Sequence, residues 1–198
     1  MILGFTDWSP QREQGRLRLH KPPLLALRAP IGKAGSMSID SHALAYLITW
    51  TTYGTWLHGD SRGWIKKGHA GVQPPDWRLE DLARERMAES AVTLTTAQRD
   101  IIEDTIRKHC EIRKWFLHAV NARTNHVHVV VKAGRHPDDV MEQFKAWCSR
   151  KLSDAAGLNV KVAVKAGRRH WFTEGGDKEL IHDDEHLRNA IQYVLDGQ

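Results

Sequence analysis

The strongest constraint on the fold of this chain is a pair of apolar runs separated by three residues. The first run is WFLHAVNA, residues 115–122, and the second is HVHVVVKA, residues 126–133. β-branched and aromatic residues favour strands, and a connection as short as Arg123-Thr124-Asn125 is typical of a hairpin. The sequence therefore predicts two antiparallel strands. Because side chains alternate along a strand, His126 and His128 should project from the same face of the second one.

The patterns around this hairpin predict an α+β fold. Residues 44–52 have the composition of a buried strand, and 78–90, 93–113, 137–157 and 183–197 show helical periodicity or capping signals. A last strand is expected within 160–174. The order strand, helix, strand, strand, helix, strand is the split βαβ, ferredoxin-like arrangement, in which helices cover one face of an antiparallel sheet. The final helix is an addition, and it carries Tyr193.

The chain is predicted to form one domain. Residues 1–40 are rich in Pro, Gly and Arg without periodicity, so we expect a disordered tail followed by a domain at 41–198. Residues 53–92 form an insertion after the first strand. Its first part, 53–77, is rich in Gly, Pro and Trp, and loops of this length are uncommon unless they have a function.

The charge pattern suits an acidic partner. The formal net charge is +5, and seven Lys or Arg residues lie between residues 144 and 170 against Asp154 alone. Such a block suits a polyanion, or equally a solvated face. Cys110 and Cys148 lie in helical patterns and are expected to be reduced thiols with a structural role. No run is apolar for long enough to span a membrane, and a cytoplasmic protein is expected.

Two adjacent imidazoles indicate either of two things. They would repel each other if both were charged, and a divalent metal is a common reason to place them together. The alternative is a pair of unrelated histidines on the solvent face of an antiparallel strand. His126 and His128 alone leave these two readings evenly balanced, and they do not complete a coordination sphere.

The chain resembles the HUH single-tyrosine transposases, which include the insertion-sequence-200-like and the REP-associated tyrosine transposases. The resemblance covers most of residues 44–198 and is carried by LAYLITWTTYGTWLHGD, NHVHVVVKA, PDDVMEQFKAWCSRKL, HWFTEGG and IQYVLDGQ. It implies a ferredoxin-like nuclease domain that forms a dimer. His126 and His128 would help to bind Mg²⁺ or Mn²⁺. Tyr193 would attack a phosphodiester of single-stranded DNA, leaving a 5′-phosphotyrosyl enzyme and a free 3′-hydroxyl.

The third metal ligand departs from the pattern of this family, where a Gln often follows the tyrosine by four residues. Gly197 occupies that position here, and Gln198 comes one residue later. Gly197 can end the helix in a left-handed conformation and redirect Gln198, which therefore remains the expected ligand. Asn189 and Glu174 are alternatives.

DNA contacts are expected from basic and aromatic side chains, which bind phosphates and stack on unpaired bases. The residues concerned are Tyr53, Trp56, Arg62, Lys66, Lys67, Arg150, Lys151, Lys165, Arg168 and Arg169. For the tryptophans of the insertion, packing onto the core is an alternative role. For Arg150 and Lys151, the alternative is interaction with the helix dipole.

The sequence thus predicts a transposase-like enzyme that cleaves and rejoins single-stranded or hairpin DNA, in the cytoplasm of a bacterium and at the nucleoid when bound to DNA. Two other functions remain open. One is a non-catalytic module of the same fold that binds hairpin DNA. The other is a metal-dependent phosphodiesterase that uses water as its nucleophile and would therefore survive Tyr193→Phe.

Overall fold

The computed structural model describes residues 43–66, 69, 71–157 and 170–196. The tail predicted for residues 1–40 lies outside this range. So do five of the predicted site residues, namely Lys67, Lys165, Arg168, Arg169 and Gln198.

The fold is built on a four-stranded antiparallel sheet. Its strands are β1 (Ala45–Thr51), β4 (Phe116–Ala122), β5 (His126–Lys132) and β6 (Asp177–Ile181), in the spatial order β4-β5-β1-β6. This order places the second strand of the hairpin between β1 and the first strand, as the split βαβ arrangement requires, so the predicted ferredoxin-like fold is confirmed. Two further strands, β2 (Trp64–Ile65) and β3 (Val72–Gln73), pair with each other within the insertion.

Four helices lie within the described residues, and all were predicted. They are α1 (Trp77–Glu85), α2 (Thr96–Arg113), α3 (Pro137–Ala155) and α4 (Asp184–Leu195). Thr95 starts α2 with a capping box, in which its side chain accepts from the backbone of Gln98 while the Gln98 side chain accepts from the backbone of Thr95. Helix α1 ends at Glu85, five residues before the predicted end.

Helices cover both faces of the sheet. On one face, Ile48 and Trp50 of β1 and the odd-numbered valines of β5 pack in one buried cluster with Ile102 of α2 and Phe144 of α3. On the other face, Leu47 and Val130 pack with Ala190 and Val194 of α4. The two long helices occupy one face as expected, and the added helix α4 lies on the opposite one. This second face is the one from which His126 and His128 project.

The prediction of a last strand within 160–174 is wrong for the described part of that stretch. Residues 170–174 form no strand; Phe172 makes one isolated bridge to Thr52, while Trp171 is buried in the core. The edge strand is instead β6, whose sequence DKELI is largely polar and half-buried. An edge strand needs no continuous apolar face, so its pattern was weaker than that of the neighbouring aromatic residues.

Both cysteines are buried free thiols, in agreement with a structural role. Burial raises the pKa of Cys110 to about 12, and it also raises the pKa of Cys148. Among the residues described, no helix combines the length and apolarity needed to cross a membrane.

Candidate active site

Three side chains predicted from the sequence meet on the α4 face of the sheet. The rings of His126 and His128 lie with centroids 4.6 Å apart, and the ring of Tyr193 lies 5.2 Å from that of His128. The side-chain amide of Asn121 on β4 donates to the backbone carbonyl of Val194 at 2.8 Å. This bond joins α4 to the sheet one residue after Tyr193, so the fold itself brings the tyrosine over the histidine pair.

His128 is held in a buried position. It is 3% exposed, and its Nδ1 lies 2.8 Å from the hydroxyl oxygen of Thr49, its partner residue on β1. Burial, followed by the influence of His126 and Arg123, lowers the pKa of His128 to about 3. His128 is therefore neutral at pH 7. Its burial does not fit a histidine on a solvent face, the alternative that the sequence left open.

His126 is oriented by the residue before it. Its Nδ1 lies 2.7 Å from Oδ1 of Asn125. An amide oxygen only accepts, so Nδ1 of His126 carries the hydrogen and the lone pair is on Nε2. Burial, Arg123 and Arg62 lower its pKa to about 4, which keeps the ring neutral at pH 7.

The start of the insertion supports Asn125. Its backbone carbonyl accepts a hydrogen bond from the backbone N–H of Thr52 at 2.8 Å and lies 3.2 and 3.3 Å from the hydroxyls of Thr52 and Thr55, which make shorter contacts with the carbonyls of Val92 and Thr52. Thr52 is itself fully buried. Thr52, at the end of the first predicted strand, and Thr55 of the insertion therefore help to fix the residue that orients His126, a role that the sequence did not indicate.

The histidine pair has the chemistry of a metal site. Histidine binds metals as neutral imidazole, and a ligating histidine usually uses its other nitrogen in a hydrogen bond, as both rings do here. Within the described residues no group of three or more His, Cys, Asp or Glu side chains is placed to hold a metal ion, so Glu174 does not join the pair there. Asn189 is exposed on α4, and Gln198 lies outside the described residues. The remaining positions would fall to an amide and water.

Arg123 influences the pKa of Tyr193 and of both histidines. Burial raises the pKa of Tyr193, so the phenol is protonated at neutral pH, and Arg123 opposes that rise. Arg123 also lowers the pKa of both histidines and therefore acts on all three groups. It was not predicted as a site residue. The available sequence signal was its position in the predicted hairpin turn, three residues before His126. In the structure its backbone N–H donates to the carbonyl of His126 at 2.7 Å.

Two aromatic residues predicted to contact DNA are engaged within the protein. Tyr53 stacks on His170 with ring centroids 5.3 Å apart, and its hydroxyl accepts from the N–H of Ala88 at 3.1 Å. Trp56 donates to the carbonyl of Gly63 at 2.7 Å. These contacts favour the packing role for both side chains.

Arg62 acts electrostatically on His126, and Lys66, four residues later, is exposed. Arg62 forms a bidentate pair with Asp60 at 2.8 and 2.7 Å and donates to the carbonyl of Thr55. Asp60 is 7% exposed, whereas the Arg62 side chain is 55% exposed. A guanidinium held on one edge and open on the other can contact a phosphate.

Arg150 and Lys151 are not brought to the histidines. Both are exposed on α3, which packs against the sheet face opposite to the one that carries His126 and His128. Arg150 lies over the ring of Trp147, 4.8 Å from its centroid. Their predicted DNA contact therefore concerns a different surface.

Comparisons with known proteins give structural likenesses alone. No family model matches the chain, and no curated protein matches it. A candidate transposase from Deinococcus radiodurans R1 is 15% identical with a TM-score of 0.39, over 83% of this chain and 96% of that one. A REP-associated tyrosine transposase bound to a REP hairpin is 12% identical with a TM-score of 0.45, over 83% of this chain and 70% of that one. Their descriptions name the class of protein that the sequence resembles.

Proposed function

We propose that this protein is a transposase-like enzyme that cleaves and rejoins single-stranded DNA next to a hairpin. The observation that carries the proposal is the meeting of Tyr193, His126 and His128 on one face. Helix α4 supplies the nucleophile Tyr193, whose ring centroid lies 5.2 Å from that of His128 on β5, and His128 in turn lies 4.6 Å from His126. A structural tyrosine would not need two oriented, neutral histidines beside it.

His126 and His128 are the residues that would hold Mg²⁺ or Mn²⁺, through their Nε2 atoms, with Gln198 as a proposed third ligand. When bound, the ion would polarise the phosphate and stabilise the negative charge that develops on it. The protein contributes the orientation of both rings, through Thr49 and Asn125.

Tyr193 would attack the phosphorus of the scissile phosphodiester. A bond forms between its phenolic oxygen and phosphorus, the bond from phosphorus to the 3′-oxygen breaks, and that oxygen takes up a proton as the phenol loses one. The product is a 5′-phosphotyrosine and a free 3′-hydroxyl. Since one phosphodiester replaces another, the reverse reaction rejoins strands without ATP. Arg123 counters the raised pKa of Tyr193 and would favour the loss of its proton.

A homodimer is part of the proposal, with β4 as the contact. Strand β4 is an edge of the sheet, and no strand in the described part of the chain pairs with its outer side. Phe116 at its start is 64% exposed, and Ile112 at the end of α2 is 73% exposed. An unpaired edge with apolar neighbours is a common site of strand pairing between copies.

The test is the formation of a covalent adduct. Purified protein is incubated with end-labelled hairpin DNA that carries single-stranded flanks from either side of its own gene, with Mg²⁺ or Mn²⁺, and run on a denaturing gel. We expect a labelled protein–DNA band from the wild type and from Tyr46→Phe, a control tyrosine in β1. Tyr193→Phe, His126→Ala and added chelator should each abolish it.

Other outcomes identify the alternatives. Cleavage without an adduct that persists in Tyr193→Phe would indicate a water nucleophile. Tight binding of the hairpin without an adduct and without cleaved DNA would indicate a non-catalytic binding module. Such a module would be located at the nucleoid through DNA binding alone.

A further inference from the structure

Two tryptophans of the insertion line an open cleft away from the histidine pair. The cleft has a volume of about 430 Å³ and is bounded by Trp64, Trp77, Arg78 and the stretch 73–76. Trp77 is 68% exposed, although an indole of this size is normally largely buried. An exposed aromatic wall beside a second one is the arrangement on which unpaired bases stack.

The walls of the cleft are held in place. Trp64 pairs with Gln73 in the β2–β3 ladder, and its indole N–H donates to the carbonyl of Pro74 at 3.0 Å. The imidazole of His58 lies against its ring at a centroid distance of 5.2 Å. A ring fixed in this way loses little side-chain entropy when a ligand binds.

A close backbone approach fixes the other wall. Gly59 has a φ of +92°, and a Cβ placed there would lie 2.2 Å from the carbonyl oxygen of Asp76, the N-cap of α1. Helix α1, which begins with Trp77, is therefore seated directly on the loop that carries Arg62. The loop that carries Arg62 and the helix that presents Trp77 therefore form one unit.

Positive charge lies beside the Trp77 ring, although residues 53–92 as a whole are balanced, with six Lys or Arg and six Asp or Glu. The guanidinium of Arg78 lies 5.2 Å from the centroid of the Trp77 ring. The Asp76 carboxylate accepts from two backbone N–H groups of α1, and the Glu80 carboxylate is paired with Arg84. Arg62, on the loop that packs against α1, lies within electrostatic reach of His126 and lowers its pKa.

We propose that the Trp64–Trp77 cleft binds an unpaired base of the single-stranded segment that flanks the DNA hairpin. The base stacks on Trp77, the adjoining phosphates lie toward Arg78 and Arg62, and the strand continues to the histidine pair. This rests on the proposed function for the identity of the strand. The function of the insertion would then be to position the single-stranded flank of the substrate relative to Tyr193.

The test is a scan of the single-stranded flank with abasic positions. Labelled hairpin DNA with a 10-nucleotide flank is titrated with protein in chelator, so that no cleavage occurs, and the Kd is measured by fluorescence anisotropy. For the wild type we expect one flank position whose abasic replacement weakens binding roughly 5- to 150-fold, the range expected for one stacked base.

Trp77→Ala should weaken binding of the intact flank by a similar factor and remove the effect of that abasic position. Hairpin DNA without a flank should bind the variant and the wild type equally. Trp147→Ala removes a tryptophan that is 38% exposed on α3 and should keep the wild-type abasic profile. Trp77→Phe retains an aromatic face and should restore much of the affinity, which separates stacking from a loss of folding.

The two proposals fail separately. An adduct at Tyr193 together with an unchanged abasic profile in Trp77→Ala would overturn the cleft and leave the transesterase. A Trp77-dependent base position without any adduct would support the cleft and overturn the enzyme. Equal binding of flanked and flankless hairpins by the wild type would also overturn the cleft.

Discussion

Replacing Thr49 with valine tests whether the histidine pair is a prepared metal site. The hydroxyl of Thr49 lies 2.8 Å from Nδ1 of His128, and these residues are 5% and 3% exposed. Valine has nearly the same shape, so Thr49→Val removes the hydrogen bond without leaving a cavity. It leaves one ring nitrogen buried without its partner, which costs about 1–3 kcal/mol.

The loss of this hydrogen bond should have two measurable effects. For a domain of this size the melting temperature should fall by roughly 2–12 °C, at about 2–4 °C per kcal/mol. Loss of a hydrogen bond that orients a metal-binding histidine weakens metal affinity roughly 10–100-fold. Calorimetric titration with Mn²⁺ measures the second effect independently of DNA cleavage.

Thr49→Ser is the matched control because it keeps the hydroxyl and loses the methyl group. It should destabilise the protein through packing alone and keep Mn²⁺ affinity close to that of the wild type. Equal Mn²⁺ affinity in the valine and serine variants would refute the role given to the Thr49–His128 hydrogen bond, whatever the melting temperatures.

Three further predictions concern acid stability, the insertion and the dimer. Between pH 7 and pH 5 the metal-free protein should lose about 2 kcal/mol of unfolding free energy through His128. The reason is that the unfolded imidazole takes up a proton below pH 6.5, while the folded one, with a pKa of about 3, does not. Urea unfolding should show a flatter pH profile of stability in His128→Gln than in the wild type, and identical profiles would contradict this. Gly71 has a φ of +78° and open space around it, so Gly71→Ala should lower the free energy of unfolding by about 1 kcal/mol. Gly59→Ala places a Cβ 2.2 Å from a backbone oxygen and should lower it by at least about 2 kcal/mol more, as measured by thermal denaturation. Similar losses in the two variants would show that the loop does not pack against α1. Phe116→Glu should shift the protein from dimer to monomer in size-exclusion chromatography with light scattering. Leu82→Glu, also at an exposed apolar position, should leave the dimer intact. A dimer that survives Phe116→Glu would place the contact away from the β4 edge.

Several features of the site could be predicted because they depend on local geometry. The alternation of side chains in β5 placed His126 and His128 on one face, and their ring centroids lie 4.6 Å apart. The helical pattern of residues 183–197 and the acidic start of α4 identified the element that carries Tyr193. The role of that tyrosine came from the resemblance, since its side chain could equally have served packing.

Other features depended on contacts between distant parts of the chain. Thr49 faces His128 only because of the register between β1 and β5, and Asn125 is supported by Thr52 and Thr55, which lie 73 and 70 residues earlier. Neither the strand register nor the contacts of Asn125 with Thr52 and Thr55 leave a periodic signal in the sequence. The polar edge strand β6 was misplaced for a related reason, since its strand character comes from pairing with β1 and not from its own apolar pattern.

The sequence by itself determined the first strand, the hairpin, the four helices and the shared face of the two histidines, because backbone geometry converts spacing along the chain directly into direction in space. Only the tertiary structure decided that this face is covered by α4, that His128 is buried and His126 half-buried with both rings neutral, and that an exposed Trp77 stands beside Trp64. Burial and proximity are set by which surfaces pack together, and those surfaces belong to residues far apart in the chain.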